Sequence, residues 1–191
     1  LVDAALVLIE QKGPTGFTLS ETAKQAGVTP AAVYRHFGGR EDLIAEAARQ
    51  GYEIFADLMQ YAYETGQPSA LAALEATGRA YLAFARRHPG HYIAMFESGI
   101  SVNHSPELAA VSTRARGVQE RAAEELSQHI PPAKRPPPSM VSAHIWALSH
   151  GVVELFARNS PGTQSPFPPE ALLESGIGIY LRGLGLIPPD A

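Results

Sequence analysis

Apolar residues recur along the chain at the spacing of an α-helix, and glycine and proline divide this pattern into pieces of helix length. Residues three and four positions apart share one helix face. The first piece has such a stripe in Val2, Ala5, Leu6 and Ile9, and a later piece has one in Val141, Ile145, Leu148, Val152 and Leu155. No segment shows the alternation of a half-buried strand. The pattern therefore predicts an all-α protein.

Start and stop signals predict about nine helices. Thr18 and Glu21 form a capping-box pattern, and Thr29 before Pro30 supplies an N-cap hydroxyl followed by proline at the first helical position. The proline-rich residues 131–138 favour a polyproline-like linker. The predicted helices cover residues 1–11, 18–26, 29–37, 40–64, 69–87, 92–98, 105–130, 139–159 and 170–186.

Residues 18–37 contain two short helices joined by Gly27-Val28-Thr29, which is typical of a helix-turn-helix motif. Val28 and Val33 are expected to pack the second of these helices on the first, and residues 1–9 complete the small core. Alanines on the outer face allow close approach to a groove, and Thr, Tyr, Arg and His side chains can donate hydrogen bonds to phosphates or bases. This arrangement predicts a DNA-binding surface.

Charge changes this prediction only locally. The formal net charge is −4, which by itself does not indicate nucleic acid, and short helix pairs also occur in bundles that never contact DNA. However, residues 24–40 contain no acidic residue, whereas Lys24, Arg35, His36 and Arg40 lie there. This asymmetry favours DNA binding over a purely structural helix pair.

Other features exclude several classes of protein. The absence of cysteine excludes disulfides, cysteine zinc sites and thiol catalysis. No apolar run approaches the length needed to cross a bilayer, so we expect a soluble cytoplasmic protein without a membrane partner. The first residue is Leu within a helical pattern, so we expect a natural N-terminal extension outside this numbering.

The first fifty or so residues resemble the TetR family of bacterial transcriptional regulators. The resemblance lies in Phe17-Thr18-Leu19, in the pattern A-G-V-x-x-x-x-V-Y-R-H-F over residues 26–37, and in Arg40-Glu41-Asp42-Leu43. Thr22 departs from the usual Ile or Val, and Arg40 from the commoner Lys. The resemblance implies a homodimer on a palindromic operator, with Arg40 at a phosphate. The implied DNA-facing residues are Thr18, Thr29, Ala31, Ala32, Tyr34, Arg35, His36 and Arg40.

The later segment Ile145-Trp146-Ala147-Leu148-Ser149-His150-Gly151 resembles the WHG type of regulatory domain. Trp146 and His150 share a helix face, and Gly151 suggests that another backbone passes close by. Both aromatic residues are interpreted either as core residues or as the wall of a mostly apolar ligand pocket. The predicted pocket residues are Tyr81, Phe84, His88, Tyr92, Met95, Phe96, Trp146, Ser149, His150 and Val153.

Histidines near this segment raise the question of a metal. His88 and His91 flank Pro89-Gly90, and with His150 they could mimic a metal site. They lack a cysteine or a pair of carboxylates at ligand spacing, so we predict no metal and no other cofactor.

The last two predicted helices favour a dimer interface. Both carry apolar stripes that are large for one small bundle, and in the resembling family such a pair forms a four-helix interface. The alternative is that these stripes fill the protomer's own core. The predicted interface residues are Val141, Ile145, Leu148, Val152, Leu155, Leu173, Ile177, Tyr180 and Leu184.

Together these features predict a DNA-binding domain at residues 1–45 and a ligand-binding and dimerisation domain at residues 46–191. The expected protein is a repressor without enzymatic activity, released when a small, largely apolar effector tilts the fourth helix. One competing hypothesis is a helical enzyme or small-molecule-binding protein that uses the pocket around Trp146 and His150. Another is a regulator without a ligand, which a filled core around Trp146 would favour.

Overall fold

The computed structural model describes residues 1–158 and 165–187. Over these residues the chain is helical, without a strand, as the apolar pattern predicts. A 3₁₀ turn, Pro132–Lys134, precedes α8, and a π-helical turn, Val153–Ala157, follows it. The helices are α1 (Val2–Lys12), α2 (Leu19–Gln25), α3 (Pro30–Tyr34), α4 (Arg40–Gly66), α5 (Ala70–Arg87), α6 (Pro89–Phe96), α7 (Pro106–Gln128), α8 (Pro138–Val152) and α9 (Pro169–Gly183).

Three boundaries differ from the predicted ones. Helix α3 ends at Tyr34, because both His36 and Phe37 donate their backbone N–H to the carbonyl of Val33 and close a turn. Pro89 is not a stop but the first residue of α6, where its missing N–H costs nothing. The predicted helix 139–159 changes to π-helical geometry at Val153.

The described helices form two compact units that do not follow chain order. Unit 1 contains residues 1–56 and 87–115, and unit 2 contains residues 57–86 and 116–191. Helices α4 and α7 therefore each contribute residues to both units. The domain boundary after residue 45 stays a prediction.

The core of unit 1 is built by α1 to α4 and α6. Phe17, Val33 and Leu43 are fully buried there. Of the predicted stripe of α1, Ala5 and Ile9 are buried, whereas Val2 and Leu6 are only half-buried, and Ala4 and Leu8 complete the buried face instead. Helix α1 packs on α6, where the carboxylate of Glu10 accepts a hydrogen bond of 3.0 Å from the backbone N–H of Gly90. Thr22 is also fully buried, and its hydroxyl donates to the Thr18 carbonyl, so this position needs no apolar residue.

Unit 2 is organised around the packing of α8 on α9. Leu74, Ile145 and Leu181 are fully buried in its core. Gly176 faces the Leu148 side chain, and His144 Nδ1 lies 3.1 Å from the Tyr180 hydroxyl. Burial raises the pKa of Tyr180, so its hydroxyl stays protonated in this contact at neutral pH.

One helical stretch in the described part of the chain, Pro138–Ala157, is long and apolar enough to cross a membrane by length and composition alone. The expectation that no run approaches this length is therefore wrong, because the stretch carries a single charged residue, Glu154, among its apolar and small residues. A third of this stretch is buried within the protein, and α9 packs against α8. Such burial is a property of core helices, so the stretch is weak evidence for a membrane span.

Candidate DNA-binding surface

The turn between α2 and α3 has the geometry that the helix-turn-helix pattern predicts. Gly27 has a positive φ of 69°, a conformation that residues with a Cβ rarely adopt. The backbone N–H of Val28 donates to the Ala23 carbonyl at 2.9 Å. Val33 is fully buried as expected, but Val28 is 41% exposed, so its predicted core role is wrong. The backbone of Val28, rather than its side chain, holds the turn.

Two hydroxyls predicted to face DNA form helix caps. Thr18 Oγ1 accepts from the Glu21 N–H, while the Glu21 carboxylate accepts from the Thr18 N–H at 2.8 Å. Thr29 Oγ1 accepts from the Ala32 N–H at 3.4 Å. Each cap pairs a backbone donor that the first helical turn would otherwise leave unsatisfied. Thr18 and Thr29 therefore have structural roles in starting α2 and α3.

Arg40 has a structural role that the sequence pattern does not reveal. Its Nη1 donates to the carbonyls of Thr15 and Phe17, at 2.9 and 3.3 Å. These contacts tie the segment between α1 and α2 to the first residue of α4. The Arg40 Nε is buried without a hydrogen-bond partner. A phosphate contact of Arg40 stays a prediction and would have to use the remaining part of the guanidinium.

The polar side chains that remain available lie at the end of α3 and on α2. Tyr34, Arg35 and His36 are exposed, and none of their side chains makes a hydrogen bond or ion pair with another described residue. Lys24 and Gln25 of α2 are exposed in the same way. Neither residue belongs to the DNA-facing set that the sequence implies, although Lys24 begins the run without acidic residues. Ala31 is exposed beside them, and Ala32 is half-buried.

Two other basic residues of unit 1 are neutralised by ion pairs with carboxylates. Lys12 binds the Glu21 carboxylate at 2.6 Å, and this contact lowers the pKa of Glu21 together with the hydrogen bonds from Thr18. Arg49 pairs with Glu46 and Glu53 at 2.7 and 2.6 Å, and hydrogen bonds from Arg49 lower the pKa of Glu46. Lys24 and Arg35 thus carry the unneutralised positive charge around α3, which favours an anionic partner.

The ten residues of the predicted ligand pocket fall into both compact units. In unit 1, Tyr92 and Met95 are buried, whereas His88 and Phe96 are half-buried. In unit 2, Tyr81, Phe84, Ser149 and Val153 are buried, and the Tyr81 hydroxyl lies 2.9 Å from His150 Nδ1.

The Trp146 interpretation needs correction. Trp146 and His150 share a helix face as predicted, with ring centroids 6.3 Å apart. Trp146 is nevertheless 40% exposed in the single chain, so it is not a core anchor. A Cβ on Gly151 would meet nothing within 4 Å among residues 1–158 and 165–187 outside its own helix backbone, so the expected close backbone neighbour is not found in this part of the chain.

A groove between α5 and α9 is a candidate ligand site that the sequence analysis missed. Its volume is about 270 Å³, and apolar side chains of both helices form its floor. Gly78 lies opposite Leu173 and Ile177. The glycine on one helix and the apolar pair on the other were the sequence features from which this groove could have been predicted. Charged residues form its edges, where Arg86 binds Glu170 and lowers the pKa of that carboxyl. The groove is lined by Glu75, Gly78, Arg79, Leu82, Glu170, Leu173, Glu174, Ile177, Gly178, Leu181 and Ile187.

Four predicted interface residues are core residues instead. Val141, Ile145, Leu173 and Ile177 are at most 5% exposed, because α8 and α9 turn these stripes towards their own bundle. Leu155 is exposed, and the remaining members are half-buried: Leu148, Val152, Tyr180 and Leu184. The outward faces of α8 and α9 instead carry exposed Met140 and Ile179.

No group of three or more His, Cys, Asp or Glu residues within the described ranges could hold a metal ion. His88 and His91 are neighbours, with ring centroids 5.9 Å apart. Burial, and secondly the neighbouring His88, lower the pKa of His91. This pair therefore favours the neutral form of His91.

Comparison with curated proteins finds partial matches. The HTH-type transcriptional regulator YobS of Bacillus subtilis (strain 168) is 33% identical over 95 residues, which cover 49% of this chain and 48% of YobS. BetI of Rhizobium meliloti (strain 1021) is 45% identical over 49 residues, which cover 26% of this chain and 24% of BetI. The chain thus spans about half, or less, of the length of these curated relatives.

Solved structures share the fold over almost the whole chain. A protein of unknown function from Rhodococcus sp. RHA1 has a TM-score of 0.79 at 23% identity, covering 96% of this chain and 92% of that one. PfmR from Thermus thermophilus has a TM-score of 0.74 at 17% identity, covering 96% and 97%. AibR in complex with isovaleryl coenzyme A and operator DNA has a TM-score of 0.69 at 19% identity, covering 93% and 94%.

Two family models match the sequence. The model described as bacterial regulatory proteins, tetR family, matches residues 1–47. The model described as tetracyclin repressor-like, C-terminal domain, matches residues 74–180, which is more than half of the chain. Neither description names the WHG type, which stays a prediction. With these two matches, the chain belongs to the TetR family of bacterial regulatory proteins.

Proposed function

We propose that this protein is a cytoplasmic, homodimeric transcriptional repressor that binds a palindromic operator through α3 and is released by a small apolar effector. The observation that carries the proposal is the surface of exposed Tyr34, Arg35 and His36, whose side chains have no partner among the described residues, on a helix-turn-helix that matches the family model. Lys24 adds positive charge beside them, which suits a phosphate backbone. The AibR structure, which holds operator DNA and an acyl coenzyme A, supports this reading by fold alone.

The DNA-binding part is tested by fluorescence anisotropy with DNA from just upstream of the protein's own gene and a scrambled control. We expect preference for the upstream DNA, with log affinity falling about 0.9 per log salt for each phosphate contacted. Tyr34→Ala should weaken binding about tenfold or more, since a lost interface contact commonly costs over 1 kcal/mol. Tyr61→Ala is the matched control, because Tyr61 is an exposed tyrosine of α4. Equal binding of both DNAs by every variant would count against the proposal.

We propose that dimerisation uses the outward faces of α8 and α9. Met140 and Ile179 are exposed large apolar residues there, and exposed apolar surface marks an interaction site where it is contiguous. A Cβ added at Gly151 or Gly183 would meet no described atom beyond its own helix backbone within 4 Å, so a second copy could approach their backbones closely. A second copy of the chain is the partner we propose, because the resemblance to the family implies a four-helix interface between two protomers.

We propose the groove between α5 and α9 as an effector site. Its buried lining residues are apolar or glycine, and the Glu170 carboxylate at its edge is paired with Arg86, so the groove suits an uncharged apolar molecule. Its volume of about 270 Å³ limits the effector to a small aromatic or alicyclic body. The predicted pocket around Tyr81 and His150 stays a separate prediction, and none of its members lines this groove.

A pair of glycine substitutions tests this groove. Gly178→Leu places a side chain in the groove, where only the tip of Arg182 lies within 4 Å of an added Cβ. Gly117→Leu is the control, because Gly117 has an equivalent arginine neighbour, Arg121, outside the groove. Calorimetric titration with naphthalene-sized neutral aromatics should show binding to wild type and Gly117→Leu only. Binding that survives Gly178→Leu would place the effector elsewhere.

The alternative of a helical enzyme or binding protein is the weaker hypothesis. Both family models describe regulatory proteins, and YobS and BetI are described as transcriptional regulators. His150, its main candidate catalytic group, is engaged with Tyr81. A regulator without a ligand is favoured less, because Trp146 is exposed rather than enclosed in a filled core.

A further inference from the structure

We infer that Arg35 and Ala31 determine the operator sequence, with Arg35 reading a guanine and Ala31 reading a thymine methyl group within about two base pairs of it. The inference rests on the proposed function, since it assigns base contacts to the proposed DNA-binding helix. It adds the base composition of the half-site, which neither the fold nor the family relationship specifies.

The orientation of α3 selects these two residues. Val33 is fully buried and marks the inward face of the helix. At 100° per residue, Ala31 and Arg35 point about 160° away from Val33, to either side of the outermost line. They lie four positions apart, about 6 Å along the helix, which corresponds to nearly two base-pair steps of about 3.4 Å. Both residues are exposed, so they are the ones that a major groove would meet first.

The two ends of α3 differ in the side-chain hydrogen-bonding groups that they can offer to a base. Thr29 uses its hydroxyl in the cap, Pro30 has no N–H, and Ala31 offers only a methyl group. The N-terminal end of α3 therefore offers a base edge no charged or bidentate side-chain donor; its one side-chain donor is the Thr29 O–H, whose oxygen accepts in the cap. An alanine methyl group can still contact the C5-methyl group of thymine, which no other base presents.

Arg35 supplies the charged, bidentate donor that the N-terminal end lacks. Its side chain is exposed and makes no hydrogen bond or ion pair with another described residue, so the guanidinium is available in full. Bidentate donation to O6 and N7 of guanine is the commonest specific contact of arginine in the major groove. Tyr34 and His36 point to the sides of the helix, about 100° and 60° from Val33, where they suit phosphates rather than base edges.

Selection from a randomised duplex library tests the assignment. Wild type should enrich a palindrome whose half-site contains a guanine with a thymine within two base pairs. Arg35→Ala should lose the guanine preference and keep the thymine, whereas Arg116→Ala, an exposed arginine of α7, should change neither. Ala31→Gln should replace the thymine preference by adenine, because glutamine pairs bidentately with adenine.

Base analogues in the selected duplex provide a second readout that does not require a new selection. Replacing the guanine by 7-deazaguanine, which lacks N7, should weaken wild type about tenfold and leave Arg35→Ala unchanged. Replacing the thymine by uracil removes only the methyl group and should weaken wild type several-fold. If Arg35→Ala selects the same half-site as wild type, or if the analogues have no effect, the inference is wrong while the proposed function stands. If wild type enriches no palindrome, the proposed function itself fails.

Discussion

At the scale of single residues, Arg40 shows how one side chain can have a role that a motif does not reveal. The family pattern assigns it to phosphate, but its guanidinium holds the carbonyls of Thr15 and Phe17. A variant at this position would therefore affect the folded unit as well as DNA. Loss of operator binding in such a variant cannot by itself identify a DNA contact.

We expect Arg40→Ala to lower the free energy of unfolding by about 1–3 kcal/mol, the usual range for losing charge-assisted hydrogen bonds, here to the exposed Thr15 carbonyl and the part-buried Phe17 carbonyl. Urea denaturation followed by circular dichroism measures this change. Arg35→Ala is the control, because Arg35 is exposed and its loss should change stability by less than about 0.5 kcal/mol. Equal stability of Arg40→Ala and wild type would show that the two carbonyl contacts contribute nothing.

His91 gives a pH-dependent prediction at the same scale. Burial and the neighbouring His88 lower the pKa of His91 below its ordinary value of 6.5, and Asp3 opposes this shift. The unfolded chain therefore binds a proton at a pH where the folded chain does not. Neutral His91 therefore leaves the folded protein at its full stability above about pH 6.5. The free energy of unfolding falls as the pH falls from there towards the lower pKa of His91 in the folded chain.

Thermal unfolding between pH 7.5 and pH 5.5 tests this effect, in a window above the titration of the carboxylates. The melting temperature of wild type should fall across this window, and His91→Gln, which cannot take up the proton, should reduce the fall. A His91→Gln variant with the same pH slope as wild type would assign the slope to other groups.

At the scale of helices, close packing in unit 1 depends on Gly51 of α4. A Cβ at this position would lie 2.7 Å from Met95 Sδ and 3.0 Å from His91 Cβ of α6, closer than side chains tolerate. Gly117 of α7 is also within a helix, but a Cβ there would meet only Arg121, at 3.9 Å. The two glycines therefore have opposite expected responses to the same substitution.

Gly51→Ala should destabilise the protein by about 1–3 kcal/mol through overpacking, which exceeds the gain in helix propensity of about 1 kcal/mol. Gly117→Ala should stabilise it by about 0.5–1 kcal/mol, since nothing opposes that gain. Denaturant midpoints of the two variants provide the comparison. Stabilisation by Gly51→Ala would mean that α6 moves away from α4 at little cost.

At the scale of the whole molecule, the proposed dimer predicts a coupling between assembly and DNA affinity. Two recognition helices bind two half-sites only if the protomers are joined, so a monomer should lose most of the operator affinity. The outward apolar faces of α8 and α9 are the surfaces whose disruption should separate the protomers.

Ile179→Arg places a charge on the outward face of α9, and we expect it to convert the proposed dimer to a monomer in sedimentation-velocity experiments. Helical content should be unchanged, because Ile179 is 64% exposed in the single chain. Tyr61→Arg, an equally exposed position on α4, should leave the assembly intact. A dimer that survives Ile179→Arg would exclude this face as the interface.

The sequence predicted most of the helices because their caps and stops are local. The capping box at Thr18, the proline after Thr29 and the glycine at position 27 act on residues within one helical turn. The same locality explains the failures. Pro89 can end one helix or begin the next, and only packing of α6 on α1 decides between them.

Sequence alone thus determined the all-helical class, the helix-turn-helix and its exposed polar residues, because these depend on neighbours along the chain. Tertiary structure decided which apolar faces of α8 and α9 are buried. It also gave Arg40 its contact with the Thr15 carbonyl and formed the groove between α5 and α9. The physical reason is that periodicity shows that a helix has an apolar face, but not which partner covers it. Val141 and Ile145 are buried in their own unit, whereas Ile179 is left outside, because helix rotation is fixed by long-range packing.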